Sequence, residues 1–183
     1  MIFIRIHGRG GQGAVTGAEL LAIAAFKQGK YSQAFPFFGV ERQGAPVEAY
    51  CRIDDKKITI RSQASQPDFV IIQDPTLLAN QQVFAGIKKN TLFLINSEKK
   101  PSALDLPTNI SAKTIPATKI ALKYLGKPII NTSLLGAFAG ATKLISIDAL
   151  KKAITEKFSE KSKEITEKNI AAAQEAYNLV LKN

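Results

Sequence analysis

Ile2-Phe3-Ile4-Arg5-Ile6-His7-Gly8-Arg9-Gly10-Gly11-Gln12-Gly13 opens the chain with an apolar run that ends in a cluster of glycines. Residues 2–7 have the length of a buried strand, too short for a helix. Residues 14–28 follow at helical spacing, with Leu20, Leu21, Ile23, Ala24 and Phe26 apolar, and Gly29 stops the helix. The turn between them matches G-x-G-x-x-G directly after a strand and directly before a helix, the setting in which that pattern carries meaning. Glycines allow a tight turn and close backbone approach, and the helix N-terminus offers free N–H groups to an anion. Arg9 adds positive charge. Gly8, Arg9, Gly10, Gly11, Gln12 and Gly13 are therefore the candidate cofactor-binding residues. The same turn would also serve to pack a helix closely on a sheet, or to press a helix end against a partner.

The second half of a dinucleotide fingerprint is missing. An acidic residue belongs about 20 residues on, at the end of the second strand. That region reads Tyr31-Ser32-Gln33-Ala34-Phe35, and the next acidic residue after Glu19 is Glu41.

Outward from the turn, residues 31–35 read as a second strand and 36–45 as an aromatic loop. Val47, Ala49, Cys51 and Ile53 then alternate with Glu48, Tyr50 and Arg52, and Ile58 and Ile60 resume the alternation after a polar turn. This spacing predicts an antiparallel hairpin over 46–62. Strands are expected at 68–73, 91–95 and 110–115, and helices at 75–85 and 117–125. Asn131 or Thr132 is expected to cap a helix running to about 144, in which Gly136 and Gly140 share one face and admit another backbone. Ser146 caps a helix through Phe158, and a last helix covers roughly 161–181. The pattern gives an α/β fold: a Rossmann-like, mainly parallel sheet with a β-hairpin insertion and C-terminal helices. The 183 residues fit a single domain, 1–183.

Composition narrows the chemistry. The chain has one cysteine, Cys51, and one histidine, His7. An iron–sulfur cluster or a Cys-rich zinc site needs several thiolates, so this chain cannot build one by itself. His7 stands at the end of the first strand without an identifiable partner, which favours a structural role, and Cys51 alternates toward the core. Twenty-five basic against 15 acidic residues give a net charge of +10, spread along the chain. Dedicated nucleic-acid binders concentrate their basic residues on one face, so no nucleic-acid partner is expected. No apolar run approaches the ~18 residues of a membrane span. Without an export signal or disulfide framework, the expected compartment is the cytoplasm.

A second informative segment is Phe35-Pro36-Phe37-Phe38-Gly39-Val40-Glu41-Arg42-Gln43-Gly44-Ala45-Pro46. Aromatic residues beside arginine are enriched at protein interfaces. Phe37, Phe38, Glu41, Arg42, Gln43 and Gly44 are the candidate interface residues. The competing reading is a loop that covers the core.

Arg5-Ile6-His7-Gly8-Arg9-Gly10-Gly11-Gln12-Gly13, Gln33-Ala34-Phe35-Pro36, Gly39 through Val47, and the later Asn131, Leu134, Leu135, Gly136 and Ala137 occur in one order along the chain. Together they resemble the gamma subunit of pyruvate:ferredoxin oxidoreductase and related 2-oxoacid:acceptor oxidoreductases. Many members carry a basic residue at the position of Gln43, which loosens assignment to a substrate subgroup. The resemblance implies a subunit, inactive alone, of a complex that oxidatively decarboxylates pyruvate or another 2-oxoacid with coenzyme A and passes electrons to ferredoxin. It implies alpha, beta and delta-type partner subunits, with thiamine diphosphate and iron–sulfur clusters in those subunits and no cofactor bound by this chain alone. It also implies a coenzyme A contact. The alternative is a stand-alone Rossmann-type nucleotide-binding oxidoreductase using the same glycine turn.

Overall fold

The computed structural model describes residues 1–37, 44–60, 66–108 and 110–182. Strand β1 (Ile2–Arg9) leads through the glycine turn into helix α1 (Ala14–Lys27). Strands β2 (Tyr31–Phe37), β3 (Pro46–Asp54), β4 (Phe69–Ile72), β5 (Leu92–Asn96) and β6 (Ser111–Ile115) follow, then helices α2 (Ala117–Leu125), α3 (Asn131–Thr142), α4 (Ile147–Lys157) and α5 (Lys163–Lys182). The six strands form a sheet in the order β2-β3-β1-β4-β5-β6. β1, β4, β5 and β6 are parallel, while β3 runs antiparallel to β1 and to β2. A mixed α/β architecture with a mainly parallel sheet and C-terminal helices is what the pattern predicted.

The two faces of the sheet differ. Ile4, Ile6, Ala49, Cys51, Ile53, Ile71 and Leu94 point to one side and pack with buried residues of α1, α2, α3, α4 and α5. On the other side Val70, Ile72, Phe93 and Ile95 pack under Leu77, Leu78 and Val83. That second layer is built from 3₁₀ turns at Pro75–Ala79 and Gln81–Phe84, where a single helix over 75–85 was expected. The reason is local. Asp74 caps the first turn by accepting from the Thr76 N–H, and Asn80, extended at φ −92°, ψ 114°, caps the second by accepting from the Gln82 N–H. Side chains that compete for backbone N–H groups restart the chain and prevent it from continuing as a helix.

The antiparallel pair also lies one strand earlier than the alternation suggested. β3 pairs with β2 on one edge and β1 on the other, so residues 55–60 find no free ladder to join. Instead the Ile58 carbonyl accepts from Gln33 Nε2 at 3.3 Å and the Ile60 carbonyl from Arg52 Nη1 at 2.8 Å. Residues 61 and 62, the end of the expected hairpin, lie outside the described residues.

α3 packs on α5 through the expected small residues. A Cβ on Gly136 would lie 2.0 Å from the Ala173 carbonyl oxygen, and one on Gly140 would lie 2.9 Å from that of Tyr177. Asn131 does not cap α3. It is the first helical residue, after Ile130, and its Oδ1 accepts from the Thr132 N–H at 2.8 Å. Ser146 caps α4 as expected, accepting from the Ala149 N–H at 3.1 Å.

Candidate functional site

The glycine turn sits where parallel α/β sheets place ligands, at the carboxyl end of β1 beside the carboxyl end of β4, where the crossovers leave in opposite directions. Gly11 (φ 93°) and Gly13 (φ 80°) are left-handed, which only glycine adopts freely. Gly13 is the N-cap of α1 and supplies no side-chain acceptor, so no side-chain cap hydrogen bond meets the first turn of this 14-residue helix. Two neighbours press against the turn from inside. A Cβ on Gly8 would lie 2.2 Å from Gln73 Oε1, and one on Gly13 would lie 2.8 Å from Asn131 Nδ2. The turn is packed closely at Gly8 and Gly13, and the helix it leads into has no side-chain cap.

Arg9, read from the sequence as adding positive charge, is held by three hydrogen bonds. Its Nε donates to Asp74 Oδ2 at 2.7 Å, its Nη2 to Thr76 Oγ1 at 2.7 Å, and its Nη1 to the Gly44 carbonyl at 3.1 Å. Burial disfavours the Asp74 charge, but hydrogen bonds from Thr76 and Arg9 outweigh it and hold the carboxyl below the usual carboxylate range. Arg9 therefore acts as a clamp joining β1, the loop after β4 and the segment before β3. The Gly10 N–H donates to the Ala45 carbonyl at 2.9 Å, and the Gly44 N–H to the Gly10 carbonyl at 3.4 Å. Gly44, a candidate interface residue, is thereby brought against the glycine turn. Phe37 ends β2, is 39% exposed and meets Tyr50 edge-on. Phe38, Glu41, Arg42 and Gln43 lie outside the described residues.

The topology explains the missing acidic residue. In a dinucleotide fold the strand beside β1 is parallel to it and ends next to the glycine turn, presenting the carboxylate to the ribose. Here that neighbour is β3, which runs the other way and begins there, with Pro46 opposite Arg9. β2 stands one strand further out.

His7 is buried beneath this end of the sheet. Its Nδ1 lies 3.6 Å from Glu48 Oε1, which is too long for a hydrogen bond. Burial, reinforced by the charge of Arg5, lowers its pKa to about 3. It is therefore a neutral imidazole and not a base poised near neutral pH. The Tyr50 hydroxyl donates to Glu48 Oε2 at 2.6 Å, and burial and that bond push the phenol's pKa well up. Cys51 is fully buried, and burial raises its thiol pKa. His7 and Cys51 are thus both buried.

Sequence reasoning missed two groups. Arg5 and Arg52 are 5% and 1% exposed inside a sheet. Arg5 Nη2 donates to the Val83 carbonyl at 2.8 Å, tying down the 3₁₀ layer, and Arg52 lies 4.8 Å over the Phe35 ring. Their place on the polar side of the strand alternation was the available signal. The second group is Gln73 and Asn96, at the ends of β4 and β5. Asn96 Nδ2 donates to the Gln73 carbonyl at 3.0 Å and to Thr118 Oγ1 at 2.9 Å. Beside them an open groove of about 390 Å³ runs along Pro75, Asn96, Ser97, Lys99 and Thr118. Nothing local marks Gln73 and Asn96, because their meaning depends on strand order.

Among the described residues no group of three or more His, Cys, Asp or Glu side chains is placed to hold a metal ion, and no helix is long and apolar enough to cross a membrane.

Comparison with known proteins agrees with this geometry. The family model for pyruvate ferredoxin/flavodoxin oxidoreductase matches residues 3–179, and the chain belongs to that family. It is 56% identical to the pyruvate synthase subunit PorC of Methanocaldococcus jannaschii, over 100% of this chain and 98% of that one. It is 52% identical to the common gamma subunit of the pyruvate/ketoisovalerate oxidoreductases of Thermococcus kodakarensis, over 97% of this chain and 96% of that one. Among solved structures, the pyruvate oxidoreductase subunit PORC (EC 1.2.7.1) of Thermotoga maritima superposes with a TM-score of 0.86 at 34% identity, covering 97% of this chain and 95% of that one. These relatives are subunits of multi-subunit oxidoreductases, and the stand-alone nucleotide-binding enzyme is not favoured.

Proposed function

We propose that this chain, as one domain, is the gamma subunit of a 2-oxoacid:ferredoxin oxidoreductase in the cytoplasm, with pyruvate as substrate. The carrying observation is an uncapped helix end at the β1/β4 crevice whose dinucleotide half is blocked by the antiparallel β3. Such a crevice takes a phosphate-bearing ligand without making a self-sufficient nucleotide enzyme. In the complex, pyruvate loses carbon dioxide and two electrons, its acetyl group passes to the coenzyme A thiol, and two ferredoxins each take one electron. Thiamine diphosphate, bound elsewhere, would supply the electron sink for decarboxylation. Residues Gly8 to Gly13 contribute by holding a phosphate of coenzyme A on the α1 N-terminus. Arg9 keeps that turn in shape, and Gly44 with Phe37, Phe38, Glu41, Arg42 and Gln43 meets alpha, beta or delta-type subunits. The match to a subunit named as common to pyruvate and ketoisovalerate enzymes favours a role that does not read the 2-oxoacid.

The test is an affinity pull-down of the tagged chain from its native extract, with 2-oxoacid-dependent dye reduction assayed on the eluate. Larger subunits and activity requiring both pyruvate and coenzyme A are expected. A chain that elutes alone and binds NAD(P) would overturn the reading.

A further inference from the structure

We propose that Gln73 reads the ligand of the glycine-turn crevice, accepting a hydrogen bond from an uncharged hydroxyl or amide N–H on a phosphorylated ligand whose phosphate rests on the α1 N-terminus. This rests on the coenzyme A contact proposed above and deepens it. Gln73 directly follows β4, and its backbone is fixed from both sides. Its N–H donates to the His7 carbonyl at 2.8 Å, and its carbonyl accepts from Asn96 Nδ2. The strand alternation that sends Ile71 to the helical side sends the Gln73 side chain there too. Its Oε1 lies 2.2 Å from where a Gly8 Cβ would stand, so the missing side chain of Gly8 is what admits it under the turn.

Gln73 is 2% exposed, and its Oε1 has no hydrogen-bond partner. A buried carbonyl oxygen left unpaired is costly, and native proteins keep such groups mainly where something else completes them. Its neighbour Gln12 Oε1, 3.4 Å from the same point, is already engaged by the Arg9 N–H at 2.7 Å. Arg9, the cation at the turn among the described residues, is paired with Asp74. The crevice therefore offers helix N–H groups to an anion and an unpaired neutral acceptor to a donor. Inorganic phosphate satisfies the first and has only its own P–OH to offer the second. A phosphoester carrying a nearby sugar hydroxyl or chain amide satisfies both, and coenzyme A has a ribose hydroxyl in its nucleotide half and two amides in its pantetheine half.

The experiment uses the assembled complex. Gln73→Met keeps the side-chain length and removes the amide. We expect the KM for coenzyme A to rise roughly tenfold, the worth of one buried hydrogen bond, with the effect absent from kcat and from the KM for pyruvate. The melting temperature should hold or rise, because an unpaired buried carbonyl oxygen is gone. Adenosine 3′,5′-bisphosphate and 4′-phosphopantetheine, used as competitive inhibitors, assign the donor to whichever half loses affinity in the variant. An unchanged KM for coenzyme A overturns the proposal. Should Gln73→Met not assemble, the isosteric Gln73→Glu decides it: a carboxylate beside the phosphate raises that KM, and an unchanged KM overturns the proposal equally.

Gly11 separates the two readings, because its side-chain position is open, with nothing within 4 Å. Gly11→Asp should raise the KM for coenzyme A well above Gly11→Asn, which carries the same backbone strain without charge. Equal KM values would overturn the placement of phosphate at the turn, and Gln73 with it. A raised KM in Gly11→Asp alone would overturn only Gln73.

Discussion

His7 carries the single imidazole of the chain, at the end of the strand that leads into the glycine turn, and burial keeps it neutral. Its folded pKa, about 3, lies below the ordinary 6.5. Between those values the unfolded chain binds a proton that the folded chain refuses, so stability is full above pH 6.5 and falls as pH drops toward 3. Urea unfolding between pH 7 and 4.5 should show a loss approaching ~1.4 kcal/mol per pH unit that His7→Leu abolishes. A pH-independent wild type above pH 4.5 would contradict this account. Arg9 teaches the complementary lesson. The sequence shows a cation inside a glycine turn, but Asp74 and Thr76 lie far along the chain, and only folding reveals that they claim it.

At the scale of elements, the contact of α3 with α5 is the most demanding. Gly136 meets the backbone carbonyl of Ala173, and a backbone cannot turn aside as a flexible side chain can. Gly136→Ala should destabilise by about 3 kcal/mol, at the upper end of ordinary overpacking. Gly140→Ala should cost clearly less, because its nearest atom would be 2.9 Å away. Chemical denaturation of both variants checks the order, and equal losses would show that the helices slide apart to share the strain. Spacing alone exposed this pair, since small residues four apart share a helix face. It did not expose the break between the 3₁₀ turns at Asn80, where one side-chain hydrogen bond decides between two near-equal local conformations.

The whole molecule is a sheet with helices on one face and a thinner irregular layer on the other. Cys51 lies at 0% exposure in the middle strand of β2-β3-β1, beneath α1, and burial has raised its thiol pKa. A thiol reagent should therefore reach it only through global opening. Its labelling rate should rise with sub-denaturing urea in step with the unfolding free energy, and rapid labelling without urea would reveal a local opening of the sheet.

The strand–glycine turn–helix unit, the alternation that buries Cys51 and turns Tyr50 away, the small-residue face of α3 and the Ser146 cap were all legible in the sequence. Each depends on contacts within a few residues or on a period set by backbone geometry. The family was legible too, because its motifs sit in order along the chain. Tertiary structure alone decided that β3 lies between β2 and β1 and closes the dinucleotide half of the crevice. It also decided that Asp74 neutralises Arg9, and that Gln73 ends under Gly8 with an unpaired oxygen. Strand order brings together residues more than sixty positions apart, and no local propensity or period encodes that order.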